Sequence, residues 1–348
     1  MINNYILAYN CSEKENIIKF YNQIFEILKV TKRENIVLII DSKRNILKKL
    51  FDEILSIEKE DSSLIDNKAQ NLKAAITEIF GSGNNLGFKK FHQVDFEYSE
   101  NNLETYINEL KSKKIPIDAI ITIGREKINI EGIKQIKLEE FQYHQIEDKR
   151  AKIYDEGLID FNEVGKNKIE KYLEKAVWNS EIIYIYDYHL QHLYRDSQND
   201  QRIYKSWKLS FEFLLNNFSK CRTFKDKITI KIITPFPKIP TNIRDEGKGS
   251  VESHLKECSR KIFKLFESFK DQFNIHLNFM DSKIGGSEYM HDRFIQFKSC
   301  TLGVGRGADF VDWQGNFKEG SMLKHEKITV KYLNKLTSFN KIEFLYPN

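Results

Sequence analysis

Cysteine is scarce in this chain and widely scattered: Cys11, Cys221, Cys258 and Cys300 include no Cys-x-x-Cys pair. That spacing argues against a structural zinc site and fits a reducing cytosol, so neither a metal nor another cofactor is expected. No segment approaches 18 consecutive apolar residues, and the start, Met1-Ile2-Asn3-Asn4-Tyr5, lacks a basic stretch ahead of an apolar one. Secretion and membrane spanning are therefore not expected, and a cytoplasmic location is. The stretch Gly81-Ser82-Gly83-Asn84-Asn85-Leu86-Gly87 lacks the Gly-x-x-x-x-Gly-Lys-Ser/Thr spacing of a nucleotide P-loop and follows a helical pattern instead of a strand, so it reads as a turn. A strong excess of one charge is missing too. Lys and Arg number 55 against 50 Asp and Glu, a net charge of +5, which favours polyanion binding only weakly and leaves clustering to decide.

What the chain does have is length and apolar bulk. At 348 residues it exceeds the usual size of one domain, and 41% apolar residues, with 25 Phe and 16 Tyr, provide for packed cores and exclude general disorder. Residues 5–9 read as a short buried strand, after which Ser12-Glu13-Lys14-Glu15 has the form of a capping box and Ile17, Phe20, Tyr21, Ile24 and Leu28 recur at helical spacing. Residues 36–40 form a continuous apolar run ending in Asp41-Ser42, followed by a second helical pattern from Ile46 to Leu55. A helix over 64–80, a strand over 93–98, a helix over 103–111 and a strand over 119–123, closed by Gly124-Arg125, continue the alternation. Such alternation predicts a mostly parallel, Rossmann-like α/β domain over residues 1–145, whose ligands would bind at the carboxyl ends of strands, near Asp41, Ser42, Gly124 and Arg125. The reading of those four as ordinary turn and cap residues is the better one.

Residues 146–167 are polar and read as a linker into a second domain over 168–348. There a helix over 169–177 feeds a strand over 182–186, which ends in Asp187-Tyr188-His189. A helix over 207–218, a strand over 228–234, a long loop over 235–250, a helix over 251–269 and a strand over 275–280 follow. Then comes the stretch on which the functional reading turns. In Met290-His291-Asp292-Arg293-Phe294-Ile295-Gln296-Phe297, His291 and Arg293 stand two apart at the mouth of an apolar strand and so share a face, as a phosphate site would need. After a turn, Gly303-Val304-Gly305-Arg306-Gly307-Ala308-Asp309 allows close backbone approach and a sharp re-aiming of the chain. His325-Glu326 precedes residues 328–330, and a last helix or strand closes the sequence.

Four of these pieces resemble, in order and spacing, the phospholipase-D-like superfamily, and more narrowly the C-terminal domain of the MIT (microtubule interacting and transport) proteins. Asp187-Tyr188 resembles that family's Asp-Pro-Tyr, His291-Asp292-Arg293 its His-Asp-Arg, Gly305-Arg306-Gly307-Ala308-Asp309 its Gly-Arg-Gly-Leu-Asp, and His325-Glu326 a late His-Glu. The likeness covers about residues 168–335 and leaves the N-terminal domain unassigned. It implies a phospholipase-D-like α/β fold and metal-independent phosphodiester chemistry, in which one histidine attacks phosphorus and another protonates the leaving oxygen. Histidine suits both tasks because its ordinary pKa lies near neutrality.

This chain departs from the superfamily's His-x-Lys-(x)4-Asp motif. Arg293 stands at the lysine position, where a guanidinium can bind phosphate bidentately, Lys298 falls where the aspartate would, and no second copy of the motif exists. Two arrangements would restore a pair of histidines: His325 within the same site, or His291 from each of two chains in a homodimer. The catalytic set so expected is His291, Arg293, His325 and Glu326, with Arg306, Asp309, Asp187, Gly305 and Gly307 binding phosphate or orienting the imidazoles. The alternative is an inactive module that holds anions, either phosphoinositide headgroups of anionic lipid or nucleic acid; a third reading makes His291 a strand cap and ion-pairs Arg293 with Asp309 or Asp187. An N-terminal domain that senses a ligand or binds a partner protein, placed before a nuclease, matches the layout of effectors in bacterial antiviral defence systems by analogy.

Overall fold

The computed structural model describes residues 3–9, 25, 36–40, 45–60, 70–71, 73–74, 91–93, 103–113, 115, 117–123, 130 and 132–137, and then 158–178, 180–220, 227–245, 247–280, 293–298, 301–325 and 341–346. They fall in two compact units, Met1–Glu156 and Gly157–Asn348, each mixing helix and sheet.

The first unit holds a five-stranded sheet. Its strands are β1 (Asn3–Tyr9), β2 (Ile36–Ile40), β3 (Phe91–Gln93), β4 (Ala119–Ile123) and β5 (Lys134–Lys137), in the order β3-β2-β1-β4-β5 with every neighbouring pair parallel. In β4 the successive residues Ala119, Ile120, Ile121 and Thr122 are all buried, so both faces of the strand are covered; this is why it reads as an unbroken apolar run. Helix α1 (Asn45–Glu60) follows β2, and α2 (Leu103–Ser112) buries Leu103, Tyr106, Ile107 and Leu110 along one stripe. The sheet order reverses direction between β1 and β4. Asp41, Ser42, Gly124 and Arg125, the candidates at its carboxyl edge, lie outside the described residues, as do the capping box at Ser12 and residues 94–98.

The second unit holds an eight-stranded sheet in the order β13-β9-β8-β7-β10-β11-β12-β6. Its strands are β6 (Leu158–Asp160), β7 (Ile182–Tyr186), β8 (Ile228–Pro235), β9 (Phe273–Met280), β10 (Phe294–Gln296), β11 (Thr301–Val304), β12 (Met322–His325) and β13 (Lys341–Tyr346). Strands β7, β8 and β9 run parallel, and every other pairing is antiparallel. One face carries Ile183, Ile185, Ile230, Ile232, Ile275, Leu277 and Phe279, all buried; the opposite face carries Tyr184, Lys231 and His276. Strand β6 falls within the polar stretch read as a linker, where Ile159 pairs with Leu323 at the edge of the sheet.

Among the described residues the second unit's α-helices are α3 (Phe161–Val164), α4 (Lys166–Val177), α5 (Leu193–Asn199), α6 (Gln201–Lys220), α7 (Thr241–Asp245) and α8 (Lys248–Phe263). Asp160 starts α3 by accepting a hydrogen bond from the Asn162 amide at 2.8 Å. Helix α6 presents Trp207, Phe211, Leu214, Leu215 and Phe218 to the interior, the spacing of one apolar stripe. The helix expected over 251–269 begins earlier, at Lys248, and its last six residues tighten into a 3-10 turn (Lys264–Phe269) that buries Leu265, Phe266 and Phe269. The expected loop over 235–250 is largely ordered: the Phe236 amide extends the β8–β9 pairing by donating to Met280 at 3.0 Å, and α7 occupies its middle. The chain's last element is a strand, β13, which pairs with β9 from Lys341 to Tyr346.

Candidate functional site

The carboxyl end of β7 is where distant segments meet. Phe294 pairs with Tyr186 and with Gly303, so one residue further Arg293 lies across from Asp187, and the Val304 amide donates to the Arg293 carbonyl at 2.8 Å. Asp187 is 1% exposed. One carboxylate oxygen accepts from the His189 amide at 2.8 Å and the Leu190 amide at 3.2 Å, starting a short 3-10 turn (His189–His192). The other accepts from the Ala308 amide at 2.5 Å, which fastens the glycine-rich loop to the end of β7. Burial pushes the carboxyl of Asp187 up to about 6, against the opposing pull of the Ala308 and His189 amides and of the Arg293 charge.

The glycines divide the work. Gly307 has φ +67, and a Cβ built there would fall on the Asp187 carboxylate and lie 2.9 Å from Arg293 Cδ, so the residue must be glycine for the loop to close on both side chains. At Gly305 a Cβ would come within 2.7 Å of Met322 Cγ and 2.9 Å of the Gly320 carbonyl, and the Gly305 amide itself donates to Met322 at 3.0 Å. Gly305 therefore allows β12 to pass close; Gly307 allows the loop to turn over Asp187.

Beyond that turn the loop is held by side chains. Asp309 accepts from Lys318 Nζ at 2.6 Å and from Ser206 Oγ at 3.1 Å. Ser206 also contacts the Val311 carbonyl, and the Val311 amide donates to Ser210 Oγ at 2.8 Å. Two serines four residues apart on the buried stripe of α6 thus dock this loop. Phe310 and Phe317 meet Phe161 edge-on at centroid separations of 5.2 and 5.1 Å, which fixes the far side. Burial raises the Asp309 pKa, with Lys318 opposing the rise. Arg306 is exposed and its Nε donates to the Glu319 carbonyl at 2.5 Å, so its charge lies toward that turn.

The structure brings Asp187, Arg293, Gly307 and Ala308 together and sets Asp309 one turn along. Lys298 is elsewhere: its amide donates to Ser180 Oγ at 3.0 Å and its Nζ stands 3.6 Å from Glu181, both just before β7, at the other end of the strand from Asp187. His325, at the end of β12, pairs through its backbone with Leu302 of β11; β12 is two strands from β10, a lateral separation of about 10 Å at ordinary strand spacing. His291, Asp292 and Glu326 lie outside the described residues. No Arg293 ion pair to Asp309 or Asp187 is present among the described residues, although the Arg293 charge acts on Asp187.

Several residues of the region escaped the sequence reading. Ser206 and Ser210 were visible only as two polar interruptions of an apolar stripe, and Lys318 had no motif around it. His189 and His192, at i and i+3, share one side of the 3-10 turn and form a triangle of rings with Tyr188, the centroids 5.4 to 6.2 Å apart. Burial and the neighbouring Arg195 lower the His192 pKa, with Asp196 opposing. Among the described residues no group of three His, Cys, Asp or Glu side chains is placed to hold a metal ion, and no helix is long and apolar enough to cross a membrane.

No family model, no curated protein and no solved structure matches this chain.

Proposed function

We propose that residues 157–348 form a phospholipase-D-like phosphodiesterase, a metal-independent nuclease with His291 as nucleophile, His325 as acid and base, and Arg293 as the phosphate ligand. The observation that carries this reading is the junction at the end of β7, where Asp187, Arg293 and the Gly307–Ala308 backbone converge from segments more than a hundred residues apart. The chain enters β10 there, with His291 two residues upstream of Arg293. In the proposed reaction the His291 imidazole attacks phosphorus, the leaving oxygen takes a proton from the second imidazole, and water activated by that imidazole then releases the phosphohistidine. The Rossmann-like first unit, with its all-parallel sheet, is proposed as the sensing or partner-binding half of a cytoplasmic defence effector, on analogy alone.

A second reading has its own support. Asp187 uses both oxygens on backbone amides, Asp309 is held by Lys318 and Ser206, and the His325 backbone is two strands from β10. That arrangement favours an anion-holding module without turnover, or a dimer in which each chain supplies one His291.

The test is to incubate wild type and His291→Ala, with EDTA present, against labelled DNA, RNA and phosphoinositide vesicles. Cleavage of nucleic acid by wild type and its loss in the variant is the expected result. Cleavage unchanged in the variant removes His291 as nucleophile; binding without cleavage, weakened by Arg293→Ala, supports the module.

A further inference from the structure

A concavity opens at the same edge of the sheet, beyond the ends of β7 and β8. It has a volume of about 340 Å³ and is bordered by His192, Arg195, Pro237, Lys238, Pro240 and His254. This is within the size of small-ligand sites, and it lies where open α/β sheets place ligands. Four elements build it: the turn after β7, the start of α5, the first part of the 235–250 segment, and the first turns of α8.

The walls and the rim differ in chemistry. His192 and His254 are half-buried flat rings, and Pro237 and Pro240 supply apolar ring surface. His254 is fixed edge-on to Tyr194 at a centroid separation of 5.6 Å, with Nε2 3.7 Å from Cys258 Sγ. Arg195 and Lys238 bring two positively charged side chains. The nearby acids are engaged: Glu257 accepts from Tyr194 Oη at 2.7 Å, and Asp196 accepts from Arg195 Nε at 2.8 Å, a contact that involves only one of the guanidinium's nitrogens. A lone phosphate would satisfy the rim and leave the ring walls wet. A flat heteroaromatic ring carrying a phosphate satisfies both, because every nucleobase offers a π-face for stacking and its phosphate suits a cationic edge.

We propose that this cleft binds one nucleotide unit of a single-stranded nucleic acid, with the base against His192, His254 and the two prolines and the phosphate on Arg195 and Lys238. The proposal deepens the nuclease reading by naming single strands as its substrate, and it rests on that reading only for the consequence that binding here presents a neighbouring phosphodiester to the Arg293 junction.

Calorimetric titration of the full chain with AMP, TMP, ribose 5-phosphate and inorganic phosphate tests it. Both nucleotides should bind at least tenfold more tightly than ribose 5-phosphate, the expected contribution of one stacked base. His254→Ala should remove that preference, and Lys238→Glu, at an exposed position, should weaken all four ligands about tenfold while the melting temperature stays unchanged. Equal affinity for nucleotides and ribose 5-phosphate, or nucleotide affinity indifferent to Lys238→Glu, overturns the proposal. If nucleotides bind as stated and no nucleic acid is cleaved, the cleft stands and the phosphodiesterase reading falls; if nucleic acid is cleaved and nucleotides show no preference, the reverse holds.

Discussion

Two aspartates, the buried Asp187 and the half-buried Asp309, hold opposite ends of the same loop in different ways. Asp187 is gripped by three backbone amides, from His189, Leu190 and Ala308, and the chain passes so close at Gly307 that no side chain fits between. Asp309 is gripped by the side chains of Lys318 and Ser206, which can change rotamer or be replaced without moving the backbone. Burial raises the pKa of both. The first joint is thus part of the fold's geometry and the second a fastening laid over it. Ionisation of Asp187 acts on the path of the main chain beside Arg293; ionisation of Asp309 acts on the side chains of Lys318 and Ser206.

The sharpest way to break this contrast is to close the gap at Gly307. Gly307→Ala combines a left-handed backbone with a collision against the Asp187 carboxylate and Arg293 Cδ, and should lower stability by about 2–4 kcal/mol. Gly315 is the control. It has φ +99 with open space around it, so Gly315→Ala carries backbone strain alone and should cost about 1–2 kcal/mol. Urea unfolding of both variants separates strain from close approach, and equal losses would mean that Gly307 is kept for its conformation only.

A smaller effect with a definite sign comes from Asp187 itself. Its carboxyl titrates near 6 in the folded chain and near the ordinary 3.8 when unfolded. Between those values the folded state holds a proton that the unfolded state has lost, so stability from this group falls as pH rises from about 4 through 6. Asp187→Asn cannot titrate and turns an amide N–H toward the Ala308 N–H, an unmade bond costing about 1–3 kcal/mol. The variant's deficit against wild type should therefore be greatest near pH 4 and shrink toward pH 7. Denaturation across that range measures it, and a deficit independent of pH would show that the wild-type carboxyl does not titrate there.

How far the sequence foretold these joints depends on what each residue's neighbours are. Strands β1, β2, β4 and β7 were legible because each holds an unbroken apolar run, and in β4 successive residues are buried; β8 shows instead as the alternation Ile228, Ile230, Ile232 around Thr229 and Lys231. Edge strands leave much less. In β5, Lys-Gln-Ile-Lys, only Ile136 is buried, and in β6 three residues borrow their partner from β12 more than 150 positions away. The position of Asp187 at a strand end could be read from the run before it. Its bond to Ala308 could not, because the partner is 121 residues distant and a backbone amide has no sequence signature. The same limit hid Ser206 and Ser210: a hydroxyl on an apolar stripe is ordinary in a helix until a loop is found docking on it.

The smallest expected effect lies at the second joint, and it tests whether that joint is separable. Lys318→Met removes the cation that opposes the raised pKa of Asp309 and leaves the carboxylate with Ser206. The Lys318 and Asp309 side chains are 22% and 27% exposed, so water replaces part of what is lost. A loss of about 1 kcal/mol follows, below that of a fully buried pair. Because the Ser210–Val311 bond and the Phe161 contacts do not depend on the lysine, the loop should keep its place. Combining Lys318→Met with Gly307→Ala decides the matter. Losses that add within about 0.5 kcal/mol show two independent fastenings, whereas a double variant no worse than Gly307→Ala alone would mean that the first joint already holds the second.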